Sequence, residues 1–172
     1  MAVTVRQIEG AVAAPLTHEG LSAETLAALW HRLEQFVAHR WVSRTVTWTV
    51  EGEGCWTPPL APVTSITSAE VWERGAWSPL TLTEGPYGYE FDGDGPYRIV
   101  ARVGASPVPA PVAEAFARLC AHASAEDRMP GASSFREQLG PSEIEVQRRP
   151  DWQGRILHTS GAADLLRPYR RA

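Results

Sequence analysis

Between residues 22 and 50 the spacing of apolar side chains changes from a helical repeat to a strand repeat, and no single element satisfies both. Leu26, Leu29, Trp30, Leu33, Phe36 and Val37 recur at helical spacing, with Ser22 placed to cap the first turn and Glu24 inside it. The spacing predicts a helix within residues 22–39, from about Ala23 to Ala38, with His31, Arg32, Glu34 and Gln35 on its other face. Val42, Val46, Trp48 and Val50 then line one side of an alternating run, opposite Ser43, Thr45, Thr47 and Thr49. That is the pattern of a half-buried strand rich in β-branched and aromatic residues.

The alternation continues through residues 41–104. Glu51–Pro62 is rich in Gly and Pro and reads as a loop. Val63–Trp72 predicts a second strand, which turns at Glu73-Arg74-Gly75 and returns through Trp77–Leu82. Tyr87, Tyr89 and Phe91 alternate, Asp92-Gly93-Asp94-Gly95 reads as a hairpin turn, and Tyr97, Ile99, Ala101 and Val103 alternate again. Four or five antiparallel strands are expected here. A second helix is expected over residues 109–123, where Val112, Ala115, Phe116, Leu119, Cys120 and Ala123 make a stripe. Pro111 suits its first turn, because no helical amide bond is lost there. Ahead of all this, Val3, Val5 and Ile8 suit a short strand and Ala11–Pro15 a loop.

From residue 124 the pattern fades. Arg128-Met129-Pro130-Gly131 reads as a turn, and Ile144 with Val146 suggests one short strand. Trp152, Ile156 and Leu157 form an apolar patch. Ser160 is placed to cap a last helix, Asp164 lies near its positive end, and Leu165, Leu166 and Tyr169 give it an apolar edge. Pro168 limits that helix to about two turns, too short to stand alone in water. It therefore needs a surface, and the pattern leaves open whether its own domain or a partner supplies it.

These readings define an α+β chain: a small helical bundle of two main helices, an inserted antiparallel sheet and an extended C-terminal arm. The core domain is expected over residues 1–123 and the linker with its arm over 124–172. Charge separates the two ends. Arg148, Arg149, Arg155, Arg167, Arg170 and Arg171 face only Asp151 and Asp164 in residues 148–172, a net +4. The whole chain carries −4, so residues 1–147 carry −8. An acidic body with a basic tail suits an arm that reaches a partner. It does not suit a general nucleic-acid binder, which must neutralise phosphates.

Other classes are excluded more simply. No apolar run is long enough to cross a bilayer, and no charged-then-apolar leader opens the chain, so a soluble, membrane-free protein without a signal peptide is expected. Cys55 and Cys120 are too few for a disulfide framework, and Cys120 sits on an apolar stripe as a core residue would. All sixteen basic residues are Arg, and with high Ala, Gly and Pro this suggests a GC-rich bacterial or phage genome. Asp92-Gly93-Asp94-Gly95 lacks the remaining ligands of a calcium loop. His31 and His39 have no third ligand at zinc spacing. No phosphate loop, dinucleotide fingerprint or nucleophile elbow is present. Neither an enzyme nor a metal or cofactor is expected. Trp48, Trp56, Trp72 and Trp77 offer an alternative, a carbohydrate- or peptide-binding module with exposed rings on the sheet, against the simpler reading that they fill the core.

In order and spacing, the chain resembles the head–tail connector (adaptor) proteins of long-tailed phages and gene transfer agents. The resemblance covers most of residues 22–172. It is carried by the helix Ser22–Ala38 running into Arg40-Trp41-Val42-Ser43-Arg44-Thr45-Val46-Thr47-Trp48, and by Pro59-Leu60-Ala61-Pro62-Val63-Thr64-Ser65-Ile66-Thr67-Ser68. The run Val108 to His122 and the ending Ser160 to Arg171 complete it. Many relatives open with a further amphipathic helix, and residues 1–20 depart from that pattern. The resemblance implies a structural virion protein at the head–tail interface, assembled in the cytoplasm of a bacterial host. It implies a ring of identical subunits, usually about twelve, under the portal. Such a ring extends the DNA channel without binding DNA specifically and docks a stopper or tail-completion protein. Trp152, Ile156, Leu157, Leu165, Leu166 and Tyr169 would then be apolar anchors for the portal, with Arg167, Arg170 and Arg171 pairing with carboxylates.

Overall fold

Ser22 opens the first helix as its side chain suggests. Its Oγ accepts the Thr25 amide at 3.2 Å, and its carbonyl accepts the Leu26 amide at 2.9 Å. This helix, α1 (Ala23–Val37), buries Leu26, Leu29, Trp30, Leu33 and Val37. It stops at Ala38, whose φ of 54° is left-handed. Glu34 departs from expectation: it is fully buried. It lies four residues after Trp30 and three before Val37, so helical geometry sets it on the apolar stripe despite its charge. His31 is exposed, whereas His39 lies beyond the helix with its ring 4.7 Å from that of Trp41.

The structure, a computed structural model, describes residues 1–105, 107–126, 132–136, 145–148 and 152–170, with side chains over 1–105, 107–125 and 155–170. The chain forms two compact units: Met1–Val12 with Ala38–Pro107, and Ala13–Val37 with Val108–Arg170. In the helical unit, α2 (Ala110–Glu126) begins beside Pro111, and the Pro109 carbonyl accepts the amides of Val112 and Ala113. Val112, Ala115, Phe116, Leu119 and Cys120 are buried, and Phe116 meets Trp30 edge-on at 5.2 Å. Two short helices follow, α3 (Trp152–Thr159) and α4 (Ala162–Leu166), then a 3-10 turn over Arg167–Tyr169. Both α3 and α4 pack on α2. The stretch expected to hold one short strand holds two.

The other unit is built from two antiparallel sheets. β1 (Val3–Glu9), β2 (Arg44–Glu51), β4 (Val63–Glu73), β5 (Ala76–Pro79) and β8 (Tyr97–Val103) form a five-stranded sheet in the order β1-β2-β8-β4-β5. β3 (Gly54–Trp56), β6 (Thr83–Gly85) and β7 (Gly88–Phe91) form a second sheet in the order β3-β7-β6. In the helical unit β9 (Ala132–Arg136) pairs with β10 (Glu145–Arg148). Ile144 and the turn expected at Arg128–Gly131 lie outside the described residues.

In register, Val46 faces Ala101 and Trp48 faces Ile99, so the alternation of β2 and β8 sends both sets of side chains to one side. All four are fully buried. The second sheet closes over them. Trp56 meets Trp48 at 5.5 Å, and Phe91 stacks on Tyr97 at 4.1 Å. The loop expected at Glu51–Pro62 therefore contains a strand, short because glycine and proline crowd both of its ends. Asp92–Gly95 is not a hairpin: it carries the chain from β7 in one sheet to β8 in the other. Tyr97 fixes this turn, since its hydroxyl donates to the Gly93 carbonyl at 2.5 Å and accepts the Gly93 amide at 3.0 Å. Beyond β8, Gly104 has φ +104°, and a Cβ there would come within 2.5 Å of the Val42 carbonyl, so only glycine fits.

The edge strand β1 inverts the usual polarity. Its inward residues are polar, and each finds a partner in the unit. Thr4 accepts from the Trp56 indole at 2.8 Å, and Gln7 accepts from the Trp48 indole at 2.9 Å. Glu9 receives Arg40 through two parallel bonds of 2.7 and 2.9 Å, with Arg44 at 3.6 Å from the same carboxylate. Arg40 is fully buried and Arg44 nearly so. Removing the carboxylate takes an anion and two hydrogen bonds from buried guanidinium groups, a change that costs about 3–5 kcal/mol. Glu9→Ala is expected to lower stability by that order in urea unfolding, and an unchanged midpoint would show that the pair is dispensable.

Candidate functional site

The C-terminal residues singled out from the sequence fall into two groups. Ile156, Leu157 and Leu166 are buried within the subunit, Leu166 completely. Leu165 and Tyr169 are half-buried, and Arg167 and Arg170 are exposed. Trp152 opens α3 with its side chain outside the described residues, and Arg171 lies outside them altogether. The helical edge that the sequence left looking for a surface therefore finds one inside its own unit, through the packing of α3 and α4 on α2. Polar contacts reinforce that docking. Thr159 Oγ1 and His122 Nε2 lie 3.0 Å apart, the His158 ring meets Phe36 at 5.9 Å, and the Arg170 guanidinium lies 4.8 Å over Phe36.

The cap of α4 also differs from expectation. Gly161, in the left-handed conformation, holds the cap position, while the Ser160 hydroxyl one residue earlier accepts the Ala162 amide at 3.4 Å and donates to the Leu157 carbonyl at 3.3 Å. Asp164 lies in the first turn, as read. The helix ends at Leu166, two residues before Pro168, and the 3-10 turn continues the chain. What remains on the surface is a platform: half-buried Leu165 and Tyr169 flanked by Arg167 and Arg170. Such an arrangement can bind an acidic, partly apolar protein surface.

Of the four tryptophans that could stack on a ligand, two are structural. Trp48 and Trp56 are at most 2% exposed. Trp72 is exposed and Trp77 half-buried, forming a cross-strand pair 5.2 Å apart. An open groove of about 340 Å³ lies elsewhere in the same unit, lined by Thr57, Pro58, Leu60, Glu84, Tyr87 and Tyr89. Burial, and then the Glu84 carboxylate, pushes the Tyr89 phenol above its ordinary 10, so it holds its proton at neutral pH. Among the described residues no group of His, Cys, Asp and Glu is arranged to hold a metal ion. No helix among them is long and apolar enough to cross a membrane.

No protein-family model matches the sequence, and no curated protein matches it. Solved structures do. A chain in the virion of a native gene transfer agent particle superposes with a TM-score of 0.56 at 18% identity, over 89% of this chain and 80% of that one. A chain in the neck of an empty gene transfer agent particle, computed with C6 symmetry, gives 0.57 at 17% identity, over 92% and 83%. A chain in the neck of the native particle, computed with C12 symmetry, gives 0.54 at 14%, over 87% and 81%. This protein shares their fold.

Two outcomes check the packing that underlies the platform. Leu166→Ala opens a cavity where α4 is buried, and a loss of about 2–5 kcal/mol in unfolding free energy is expected. A loss below about 0.5 kcal/mol would mean the terminal helices are not docked. Burial also pushes the Cys120 thiol up to about 11, whereas Cys55 is only half-buried. At about pH 8 a thiol reagent should label Cys55 readily and Cys120 only after unfolding. Because the unfolded thiol ionises near 9 and the folded one near 11, this group's stabilising contribution falls as pH rises between those values.

Proposed function

We propose that this protein is a structural neck protein of a phage or gene transfer agent, specifically a head–tail connector (adaptor). Its subunits form a ring, of twelve copies, beneath the portal. The ring lengthens the DNA channel and presents a face to a stopper or tail-completion protein. The supporting observation is a fold shared along nearly the whole chain with chains of gene transfer agent necks whose structures were computed with C6 and C12 symmetry. The order of sequence segments that resembles the adaptor family supports the same reading independently. Its place is the head–tail interface of the virion, after assembly in the cytoplasm of a bacterial host. The role is scaffolding, not catalysis.

Within this reading, the C-terminal helices meet the portal. Leu165 and Tyr169 supply the apolar contact, with Trp152 at the start of α3, while Arg167, Arg170 and Arg171 meet carboxylates. Ile156, Leu157 and Leu166 act indirectly, by holding that surface on α2. The body's charge of −8 over residues 1–147 suits a channel through which DNA slides, since acidic walls do not retain phosphates.

The test is reconstitution with the cognate portal protein, followed by native mass spectrometry. A closed ring on the portal is expected, and its absence would end the connector reading. Arg167→Glu with Arg170→Glu is expected to weaken portal binding about tenfold or more, with the circular dichroism spectrum unchanged. Undiminished binding would move the portal contact to another surface.

A further inference from the structure

Among the described residues of the sheet unit, four of the exposed large apolar side chains, leaving Met1 and Tyr87 aside, lie at or beside the two edges of the five-stranded sheet. On β1, Val3, Val5 and Ile8 are 50%, 51% and 50% exposed, and on β4 beside β5, Trp72 is 42% exposed. β1 and β5 are the opposite edges of the five-stranded sheet. At roughly 4.8 Å per strand, about 19 Å separates them. The two patches share one face. Ile8 faces Thr47 and Thr47 faces Val100 across the ladder, while Trp72 faces Trp77, over which the Arg98 guanidinium lies at 4.5 Å.

β1 is fixed from within by Thr4, Gln7 and Glu9, whose partners are indoles and arginines. Its apolar residues point away from that core. Neither edge is suited to strand addition. β1 carries an irregularity between Thr4 and Arg6, and β5 is four residues long and ends at Pro79. Contact there must be made by side chains. Both patches carry charge of both signs: exposed Arg6 and Glu51 stand beside the β1 residues, and exposed Glu73 and Arg74 beside Trp72.

We infer that the outer face of β1 in one subunit seats on the Trp72 edge of the next copy of this chain, making the contact that closes the ring. Val5 and Ile8 pack on the indole, and Arg6 meets Glu73. A closed ring joins two different faces of each subunit, and the opposite edges of one sheet supply such a pair. This assignment rests on the ring reading above and names the surfaces that the ring joins.

The experiment uses the full chain, alone over a concentration series and on the portal, with native mass spectrometry as readout. The double variant Val5→Glu/Ile8→Glu and the single variant Trp72→Glu alter exposed positions, and unchanged circular dichroism will confirm their folding. Each is expected to raise the concentration needed for assembly at least tenfold. Mixed in equal amounts, the two variants are expected to form a heterodimer and nothing larger, because each retains one intact edge. Normal rings from either variant would overturn the assignment, as would a mixture that gives no heterodimer. If the wild-type chain forms no ring in either setting, the ring reading falls first and this assignment with it. Dimers formed by Trp72→Glu alone would instead mean that β1 pairs with itself, which also overturns it.

Discussion

A guanidinium has been placed where water does not reach it. Arg40 is fully buried, so its charge must be met by an anion inside the protein. Glu9 supplies such an anion, and the two parallel bonds between them fix more than a pair of side chains. They oblige Glu9 to point inward from β1. The alternation of a strand then turns Gln7 inward and Ile8 outward, and the irregularity between Thr4 and Arg6 brings Thr4 inward as well. The two indoles deepest in the sheet unit, those of Trp48 and Trp56, receive their acceptors from those positions. One buried ion pair therefore sets the register of the edge strand, satisfies the aromatic core and leaves an apolar row facing out.

The same pair stands where the chain changes from helix to sheet. Ala38 ends α1 in a left-handed conformation, and two residues later the Arg40 amide donates to the Ala61 carbonyl at 2.8 Å. The Arg40 carbonyl in turn accepts the Ala105 amide at 3.4 Å, just after β8. Backbone and side chain of a single residue thus tie the segment ahead of β2 to β1, to the approach to β4 and to the exit of β8. Hydrophobic burial supplies most of the favourable energy of the unit, but it is non-directional. The ion pair and the two indole bonds are directional, and they select one register among those that burial alone would accept.

Much of this was legible where the signal was local. Ser22 as a cap, the stripes of α1 and α2, the alternation of β2 and β8 and the turn at Arg74-Gly75 depend on neighbours a few residues away, and each lies where the spacing put it. What could not be read depends on distant partners. Nothing near Glu9 announces that Arg40, thirty-one residues on, will need it, so β1 was legible only as a short apolar strand. Trp56 sits in a stretch dominated by Gly and Pro, and only its burial under the second sheet makes it a strand residue. The placement of β8 between β2 and β4 is a matter of topology, and alternating residues look the same in any order. Glu34 was misread because charge was given more weight than its position on the helix. The last helix was read as helical and in need of a surface, but α3 was read only as an apolar patch, and a stripe of leucines does not say whose surface covers it.

That last point changes how the basic end of the chain would act. A disordered cationic arm must be ordered when it binds, at a conformational cost for every residue fixed. Here Ile156, Leu157 and Leu166 already hold the terminal helices on α2, and Phe36 holds the guanidinium of Arg170. Arg167 and Arg170 are therefore presented from a fixed platform, and much of the ordering cost is met during folding instead of at assembly. Repeated around a ring, each fixed platform would occupy an equivalent position, so contacts weak in one subunit would add through a shared geometry.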